Sequence, residues 1–221
     1  MLPWEKIDEA PVPGGDGLPE LVRRGDEFAI RIDRIQLMTS REHGTEYELA
    51  RLGCEGLGES SRVLVGGLGM GFTLAAALQA LPASASVVVA ELIPAVVRWN
   101  EGPLAPLAGE PMSDARVEVF EGDVADLIRK STGTFDAILL DVDNGPEGLT
   151  RDSNEWLYTN EGLRSAALAL RPGGALAVWS SSHDERFTRR LSSLGLKVKA
   201  HQVRARGKRG ARATVWTARL R

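Results

Sequence analysis

The chain has 221 residues, of which 43% are hydrophobic and 26% charged, and a formal net charge of −3 at pH 7. This length and composition fit one soluble domain with a sizeable core. The single cysteine, Cys54, excludes an internal disulfide and a metal site built from cysteines. The histidines His43, His183 and His201 lack ligand spacing, so we expect no metal.

The sequence also carries no signal for a membrane or for export. No segment approaches about 18 uninterrupted apolar residues, so no membrane span is predicted. Residues 1–6 lack the basic segment and following apolar core that mark a signal peptide. We therefore expect a cytoplasmic protein.

The pattern of the first 56 residues predicts a small N-terminal unit that precedes a larger domain. Residues 1–20 are rich in proline and glycine and predict a loop or arm. The apolar runs 21–24 and 27–32 flank Gly25-Asp26, which is typical of a hairpin, and a further short strand is predicted at 34–38. Helical spacing then begins near Glu46 and ends at 53–56. We place the boundary between an N-terminal unit, 1–56, and the main domain, 57–221.

From residue 62 onward, short apolar runs alternate with segments of helical length. Strands are predicted at 62–66, 86–91, 116–120, 135–141, 174–180, 196–203 and 212–219, and helices at 71–81, 94–100, 123–130, 160–171 and 184–193. This alternation predicts a parallel sheet with helices on both faces. The last two strands are joined by a turn too short for a helix, so they should pair antiparallel. The expected fold is α/β: a doubly wound, mostly parallel sheet of seven strands with a terminal antiparallel hairpin and a small N-terminal β-hairpin.

A glycine-rich turn follows the first strand of this sheet. It contains Gly67, Gly69 and Gly71 and leads into a helix. Glycine tolerates positive φ and lets a ligand approach without meeting a Cβ, and a helix start supplies free N–H groups. Phe72 stands where the dinucleotide fingerprint needs its third glycine, so that cofactor class is excluded. The turn is either a cradle for another cofactor or a glycine turn without a ligand.

Acidic residues end the next two strands. Glu91 lies 20 residues after Gly71, where its two oxygens could accept both hydroxyl hydrogens of an adenosine ribose; otherwise it is a surface acid or a helix cap. Gly122 and Asp123 follow the third strand. Asp123 could recognise the adenine amine, could cap the helix that begins there, or could do both.

The fourth strand ends in Asp141-Val142-Asp143-Asn144-Gly145-Pro146. Carboxylates at this edge could hold a substrate amine or accept its proton, which makes Asp141 and Asp143 the catalytic candidates. The alternative is an Asx-turn that only closes the strand.

The charge is distributed unevenly. Residues 184–221 contain 12 Lys and Arg against two Asp and Glu, and the cluster at 204–212 is the densest part. This cluster could meet a nucleic acid. No aromatic residues interleave the charges, so a solvated hairpin that offsets the acidic body is the favoured interpretation.

Taken together, these residues resemble the spermidine synthase (aminopropyltransferase) family, which has the Rossmann-like class I S-adenosylmethionine-dependent methyltransferase fold. The resemblance runs from about residue 32 to residue 179. It matches the glycine loop 63–71, the ribose acid Glu91, the pair Gly122-Asp123 and the catalytic Asp141. The resemblance implies S-adenosylmethionine or its decarboxylated form as co-substrate, a small amine as acceptor, and a homodimer. The loop glycines would then hold the sulfonium side chain.

Departures from the family pattern fall on the amine side of the site. The family's loop aspartate corresponds to Met70 here, its second acid to Ile93, and a glutamine and a tyrosine to Leu37 and Glu46. Each lost charge-assisted contact would cost about 1.5–3 kcal/mol. The main expectation is therefore methyl transfer from S-adenosylmethionine to an amine or similar nucleophile. True polyamine synthesis by aminopropyl transfer and a non-catalytic adenosyl-binding module are the alternatives.

Overall fold

The computed structural model describes residues 2–15, 17–32, 35–142, 152–206 and 209–220. The strands are β1 (Glu5–Glu9), β2 (Glu20–Arg24), β3 (Glu27–Ile32), β4 (Ile35–Thr39), β5 (Arg62–Gly66), β6 (Ser86–Glu91), β7 (Val117–Glu121), β8 (Phe135–Leu140), β9 (Leu170–Ser180), β10 (Lys197–Arg206) and β11 (Arg209–Arg219). The α-helices are α1 (Gly44–Gly53), α2 (Phe72–Ala80), α3 (Pro94–Glu101), α4 (Val124–Lys130), α5 (Asp152–Tyr158), α6 (Asn160–Ala169) and α7 (Glu185–Ser193).

The main sheet has seven strands in the order β10-β11-β9-β8-β5-β6-β7. Strands β5 to β9 pair in parallel, while β11 runs antiparallel to both β9 and β10. The predicted doubly wound sheet with a terminal hairpin is confirmed. The order of the strands places the carboxyl ends of β5, β6, β7 and β8 along one edge, where α/β folds bind ligands.

Both faces of the central strands of this sheet are buried, and alternate side chains of these strands supply the two faces. In β5, Val63 and Val65 join the core under α1, α2 and α3, whereas Leu64 joins the core on the opposite face. In β8, Leu139 and Ile138 divide in the same way. A strand with both faces covered reads as a continuous apolar run, which is why these strands could be predicted.

The N-terminal segment forms a second, four-stranded antiparallel sheet in the order β1-β2-β3-β4. The predicted hairpin is present as β2 and β3, but the arm prediction is wrong for Glu5–Glu9, which is a strand paired with β2. Four of its five residues are exposed, so its sequence lacks the apolar alternation of a strand. Trp99 of α3 fixes this strand by donating its indole N–H to Asp8 at 2.7 Å.

Helix α1 connects this small sheet to the main one. Its last residue, Gly53, lies so close to Leu139 and Ala177 that a Cβ would collide with the Leu139 side chain. At its other end, a Cβ on Gly44 would collide with the carbonyl oxygen of Ala205. The helix therefore lies directly on the main sheet, with its first turn at the carboxyl edge. The boundary between residues 56 and 57 stays a prediction.

Two further differences from the sequence prediction concern the second half of the chain. Helix α5 lies between the predicted strand 135–141 and the predicted helix 160–171, where no element was predicted. Strand β9 begins at Leu170 rather than at residue 174, immediately after α6. An irregularity in the pairing of β8 with β9 absorbs the Pro172-Gly173-Gly174 turn. None of the helices in the described ranges is both long and apolar enough to cross a membrane.

Candidate adenosyl-binding site

The glycine turn after β5 is shaped by close packing against β8. Gly67 has φ +89° and donates its N–H to the Ala90 carbonyl at 2.9 Å. A Cβ at this position would collide with the backbone carbonyl of Asp141. Gly69 also has positive φ, +52°, and both glycines line the cavity described below. The turn thus combines a left-handed backbone with a tight contact, and only glycine meets both conditions.

Gly71 shapes the turn from beneath. It has φ +81°, caps α2, and is not among the residues that line the cavity. The carboxamide of the buried Asn100 lies under it, so that a Cβ on Gly71 would be 2.8 Å from Asn100 Oδ1. Asn100 Nδ2 donates to the carbonyls of Gly69 at 2.8 Å and Val96 at 2.9 Å. Asn100 is a positioning residue that the sequence analysis missed; its only signal is an amide within an otherwise apolar helix face.

Glu91 ends β6 and is buried, with 7% of its surface exposed. Its Oε2 accepts from the Leu68 N–H and its Oε1 from the Ile93 N–H, both at 2.9 Å. Burial raises the pKa of Glu91, and these backbone N–H groups oppose the rise. Each oxygen has two lone pairs, so these two hydrogen bonds do not exhaust the capacity of the carboxyl to accept.

Gly122 and Asp123 follow β7, as the sequence analysis expected. Asp123 caps α4, since its Oδ1 accepts from the Ala125 N–H at 2.8 Å, and it also lines the cavity. The capping role is therefore present. Gly122 is packed against the Phe120 ring, which would lie 2.9 Å from a Cβ.

Asp141 follows β8 directly. Its N–H donates to the Gly66 carbonyl at 2.8 Å, which extends the ladder between β5 and β8, and its Oδ2 accepts from the Thr73 hydroxyl at 2.5 Å. Burial and the negative charge of Glu46 raise the pKa of Asp141 to about 7, and the Thr73 hydrogen bond opposes them. The second catalytic candidate, Asp143, lies outside the described residues.

Glu46 is a second acid beside Asp141 that the sequence analysis did not select. It lies in the first turn of α1, is buried, and accepts a hydrogen bond from the Thr45 hydroxyl at 2.5 Å. Burial raises the pKa of Glu46, and this hydrogen bond opposes the rise. The family resemblance placed Glu46 on the amine side of the site without giving it a role; only the packing of α1 on the sheet shows that it lies beside Asp141.

These residues line one cavity of about 900 Å³ between the carboxyl edge of the main sheet and the N-terminal sheet. Among the described residues, five acidic residues and one basic residue line it: Glu42, Glu46, Glu91, Asp123, Asp141 and Arg212. The N-terminal sheet contributes mainly apolar side chains, among them Ile30, Leu37 and Met38. The structure thus brings together all the predicted site residues that it describes, except Gly71.

One of the residues at which this chain departs from the family pattern lies outside the cavity. Met70 is fully buried in the core and does not line the cavity, so its side chain does not replace an acid there. Leu37, Glu46 and Ile93 do line it. Within the described ranges no group of three or more His, Cys, Asp or Glu could hold a metal ion.

The fold defines a class: it is the α/β fold of class I methyltransferases, with a small antiparallel sheet added at the N-terminus. Solved structures of the same fold include a spermidine synthase in complex with the transition state analogue AdoDATO and a spermidine synthase from Thermotoga maritima. Each is 17% identical to this chain with a TM-score of 0.74, and the match covers 97% of this chain and 72% of the other. No protein family model matches the sequence, and no curated protein matches it significantly.

Proposed function

We propose that the protein is a transferase that moves an aminopropyl group from decarboxylated S-adenosylmethionine to an amine. The observation that carries this proposal is the charge of the cavity, since five acidic residues and only one basic residue stand among the described lining residues. The aminopropyl ammonium, the sulfonium and the acceptor amine are all cations, and opposite charges in a partly buried site attract strongly. The likeness in fold to spermidine synthases supports the same choice.

The nucleoside half of the co-substrate would occupy the ends of β5, β6 and β7. Glu91 would accept the two ribose hydroxyls with the lone pairs that Leu68 and Ile93 leave unused. Asp123 would accept from the adenine amine with the oxygen that does not cap α4. The turn at Gly67 and Gly69 would let the sulfonium side chain pass close to the backbone.

The reaction itself is an in-line displacement. The acceptor nitrogen donates its lone pair to the aminopropyl carbon that is bonded to sulfur, the bond between that carbon and sulfur breaks, and its electron pair stays on sulfur. The products are methylthioadenosine and a secondary ammonium, and one proton must leave the acceptor nitrogen. Catalysis of such a step consists mainly of positioning and proton removal.

Asp141 suits the removal of that proton. A carboxyl with a pKa of about 7 is partly ionised at neutral pH and is a stronger base than an ordinary carboxylate. Glu46 would help to hold the ammonium forms of the substrates, because a bound cation relieves the repulsion between the two acids. Asp143 stays a sequence-based proposal for the same role.

Methyl transfer, the main expectation from the sequence, fits this cavity less well. S-adenosylmethionine carries a carboxylate that would enter a cavity lined by acids, and like charges in such a place cost free energy. The replacement of the family's loop aspartate by Met70 does not favour methyl transfer either, since the Met70 side chain lies in the core. A non-catalytic adenosyl-binding module would not need a base like Asp141. A homodimer and a cytoplasmic location remain proposals.

Release of methylthioadenosine from decarboxylated S-adenosylmethionine, measured with a panel of small amines, tests this proposal. We expect amine-dependent release that Asp141→Asn lowers by about 10²–10⁴-fold. The matched control is Asp126→Asn, an exposed acid of α4 that should retain full activity. A methylated product formed from S-adenosylmethionine, with no release of methylthioadenosine under any condition, would contradict the proposal.

A further inference from the structure

Every acidic residue in the described lining of the cavity already has a role. Four of the five serve the nucleoside and the reacting ammonium groups in the proposed function. The fifth, Glu42, forms an ion pair with Arg206 at 3.5 Å. A second ammonium on the acceptor would therefore enter the cavity with no carboxylate left for it among the described lining residues. Burial of a charge without a partner is costly, which disfavours a diamine.

The neighbour of Asp141 on the adjacent strand is Trp179, because Val178 pairs with Leu140 one residue earlier. The Trp179 side chain lines the cavity and is only partly buried. Its one polar atom, Nε1, is buried, so the part of the indole that the cavity meets is hydrocarbon. The hairpin of β10 and β11 adds small apolar lining residues: Ala205, Ala211 and Ala213. An acceptor held beside Asp141 therefore meets an apolar surface.

Strand β4 forms another wall of the cavity, and it contains a β-bulge. Met38 pairs with Ile30, and Gln36 then pairs with Arg31, so Leu37 is an extra residue in β4. A bulge changes the direction of the side chains beside it. Here Leu37 and Met38, although consecutive, both line the cavity. The bulge thus turns two adjacent apolar side chains toward the site.

This wall is apolar from the glycine turn to the rim. At its inner end, Sδ and Cε of Met38 lie 3.0 Å from the position that a Cβ on Gly69 would occupy. At its outer end, Ile35 also lines the cavity and is 61% exposed. The polar lining residues of β4, Gln36 and Thr39, carry no charge. Apolar walls with few polar groups are typical of sites that bind the hydrocarbon part of a ligand.

We propose that the acceptor is a primary amine with one charge and an apolar body, an alkylamine or arylalkylamine, whose body packs against Leu37 and Trp179. This inference rests on the proposed aminopropyl transfer and adds the class of acceptor. The ammonium gives one proton to Asp141, and its nitrogen then bonds to the aminopropyl carbon. The bond between that carbon and sulfur breaks, and its electron pair stays on sulfur. The products are methylthioadenosine and an N-substituted 1,3-diaminopropane.

Two pairs of acceptors with equal chain length test the inference: butylamine against 1,4-diaminobutane, and hexylamine against 1,6-diaminohexane. With decarboxylated S-adenosylmethionine, we expect kcat/KM for each monoamine to exceed that for the matching diamine by at least about tenfold. The value for hexylamine should exceed that for butylamine by about tenfold, because two more methylene groups leave water. Higher values for the diamines would overturn the inference.

Leu37→Gln tests the apolar wall itself. It nearly keeps the size of the side chain and adds a polar amide, so it should lower the ratio of kcat/KM for hexylamine to that for 1,4-diaminobutane at least about fivefold. Leu37→Met stays apolar and should keep this ratio within about twofold. The matched control is Leu168→Gln, on a leucine that is 65% exposed and does not line the cavity. A ratio that Leu37→Gln leaves unchanged overturns the inference.

Binding without turnover separates this inference from the proposed function. Each amine is titrated calorimetrically into the protein saturated with methylthioadenosine. Hexylamine that binds more tightly than the other amines, and that Leu37→Gln weakens, supports the inference even when no transfer occurs, in which case the proposed function alone fails. Tighter binding of the diamines, or no binding of any amine, overturns the inference. A loss of affinity for methylthioadenosine in Leu37→Gln also overturns it, because the wall would then belong to the co-substrate.

Discussion

The hydroxyl of Thr73, in the first turn of α2, donates a hydrogen bond of 2.5 Å to Oδ2 of Asp141, which follows β8. The contact joins two segments 68 residues apart. This hydrogen bond also orients the carboxyl group, because Oδ2 must face the Thr73 hydroxyl and Oδ1 then points away from it. The glycine turn and the proposed base are therefore parts of one unit, since Gly67 packs on the Asp141 backbone as well.

The ionisation of Asp141 gives the first prediction. The rate of transfer should rise with pH and show an inflection near pH 7, because only the ionised carboxyl can accept a proton. Glu46→Gln removes a neighbouring negative charge and makes ionisation easier, so the inflection should move to lower pH. The measurement is kcat/KM for both proteins between about pH 5.5 and 8.5. An identical inflection in the two proteins would show that the charge of Glu46 does not affect the ionisation of Asp141.

The same two acids should destabilise the fold when both are charged. The pKa of Asp141 is raised in the folded state, so the protonated carboxyl contributes to stability at low pH. That contribution is lost as pH rises from 3.8 through about 7. Asp141→Asn should therefore raise the free energy of unfolding by about 1–3 kcal/mol at pH 8 and by much less at pH 4.5. Urea denaturation at the two pH values measures this difference. A lower free energy of unfolding for Asp141→Asn than for the unaltered protein at pH 8 would contradict this prediction.

Glu91 is expected to control the affinity for the nucleoside. Glu91→Gln replaces one acceptor oxygen by an NH₂ group, which cannot accept from the backbone or from a ribose hydroxyl. We expect methylthioadenosine to bind at least about tenfold more weakly. Calorimetry with Glu118→Gln as control checks this, because Glu118 is exposed on the adjacent strand β7. Equal affinity of the two variants for methylthioadenosine would show that Glu91 does not bind the nucleoside.

The glycine turn offers a comparison of two glycines with similar backbone angles. Gly67 and Gly173 have φ of +89° and +77°, but only Gly67 has neighbouring atoms where a Cβ would lie. Gly173→Ala should cost the conformational penalty alone, about 1–2 kcal/mol, whereas Gly67→Ala should cost at least about 1 kcal/mol more because the Asp141 backbone must move. Thermal unfolding of the two variants at one pH measures both costs. Equal losses of stability in the two variants would show that the turn accommodates a Cβ at position 67 without movement of the Asp141 backbone.

Cys54 should be inert in the native protein. It is buried, and burial raises the pKa of its thiol to about 12, so hardly any reactive thiolate is present at pH 8. We expect a thiol-directed reagent to label it only at the rate at which the protein unfolds, and to label it at once in denaturant. Rapid labelling of the native protein would contradict the packing of α1 on the sheet.

The sequence predicted those features that depend on local pattern. The buried strands β5, β6 and β8 are continuous apolar runs, and the alternation of strands and helices is enough to assign the residues at their carboxyl ends, Glu91 and Asp141, to one edge of the sheet. The features it missed, or left without a role as in the case of Glu46, depend on contacts between distant segments. Glu46 reaches the cavity because α1 packs on the sheet, Asn100 reaches the turn because α3 passes beneath it, and the mostly exposed β1 is a strand because β2 pairs with it.

Met70 shows the limit of reasoning by position in a motif. It stands in the glycine loop where the family pattern has an aspartate, but the turn directs this side chain into the core, where it is fully buried. The direction of a side chain in a tight turn depends on the backbone angles of its neighbours, here Gly69 and Gly71, and those angles are not readable from residue spacing.

The central claim is an acidic cavity that accepts an adenosyl sulfonium without a carboxylate. Its most direct test is calorimetry of one preparation with decarboxylated S-adenosylmethionine, S-adenosylmethionine and methylthioadenosine. We predict that the decarboxylated compound binds at least about tenfold more tightly than S-adenosylmethionine, with methylthioadenosine also binding. Tighter binding of S-adenosylmethionine, or no binding of any of the three, would contradict the account.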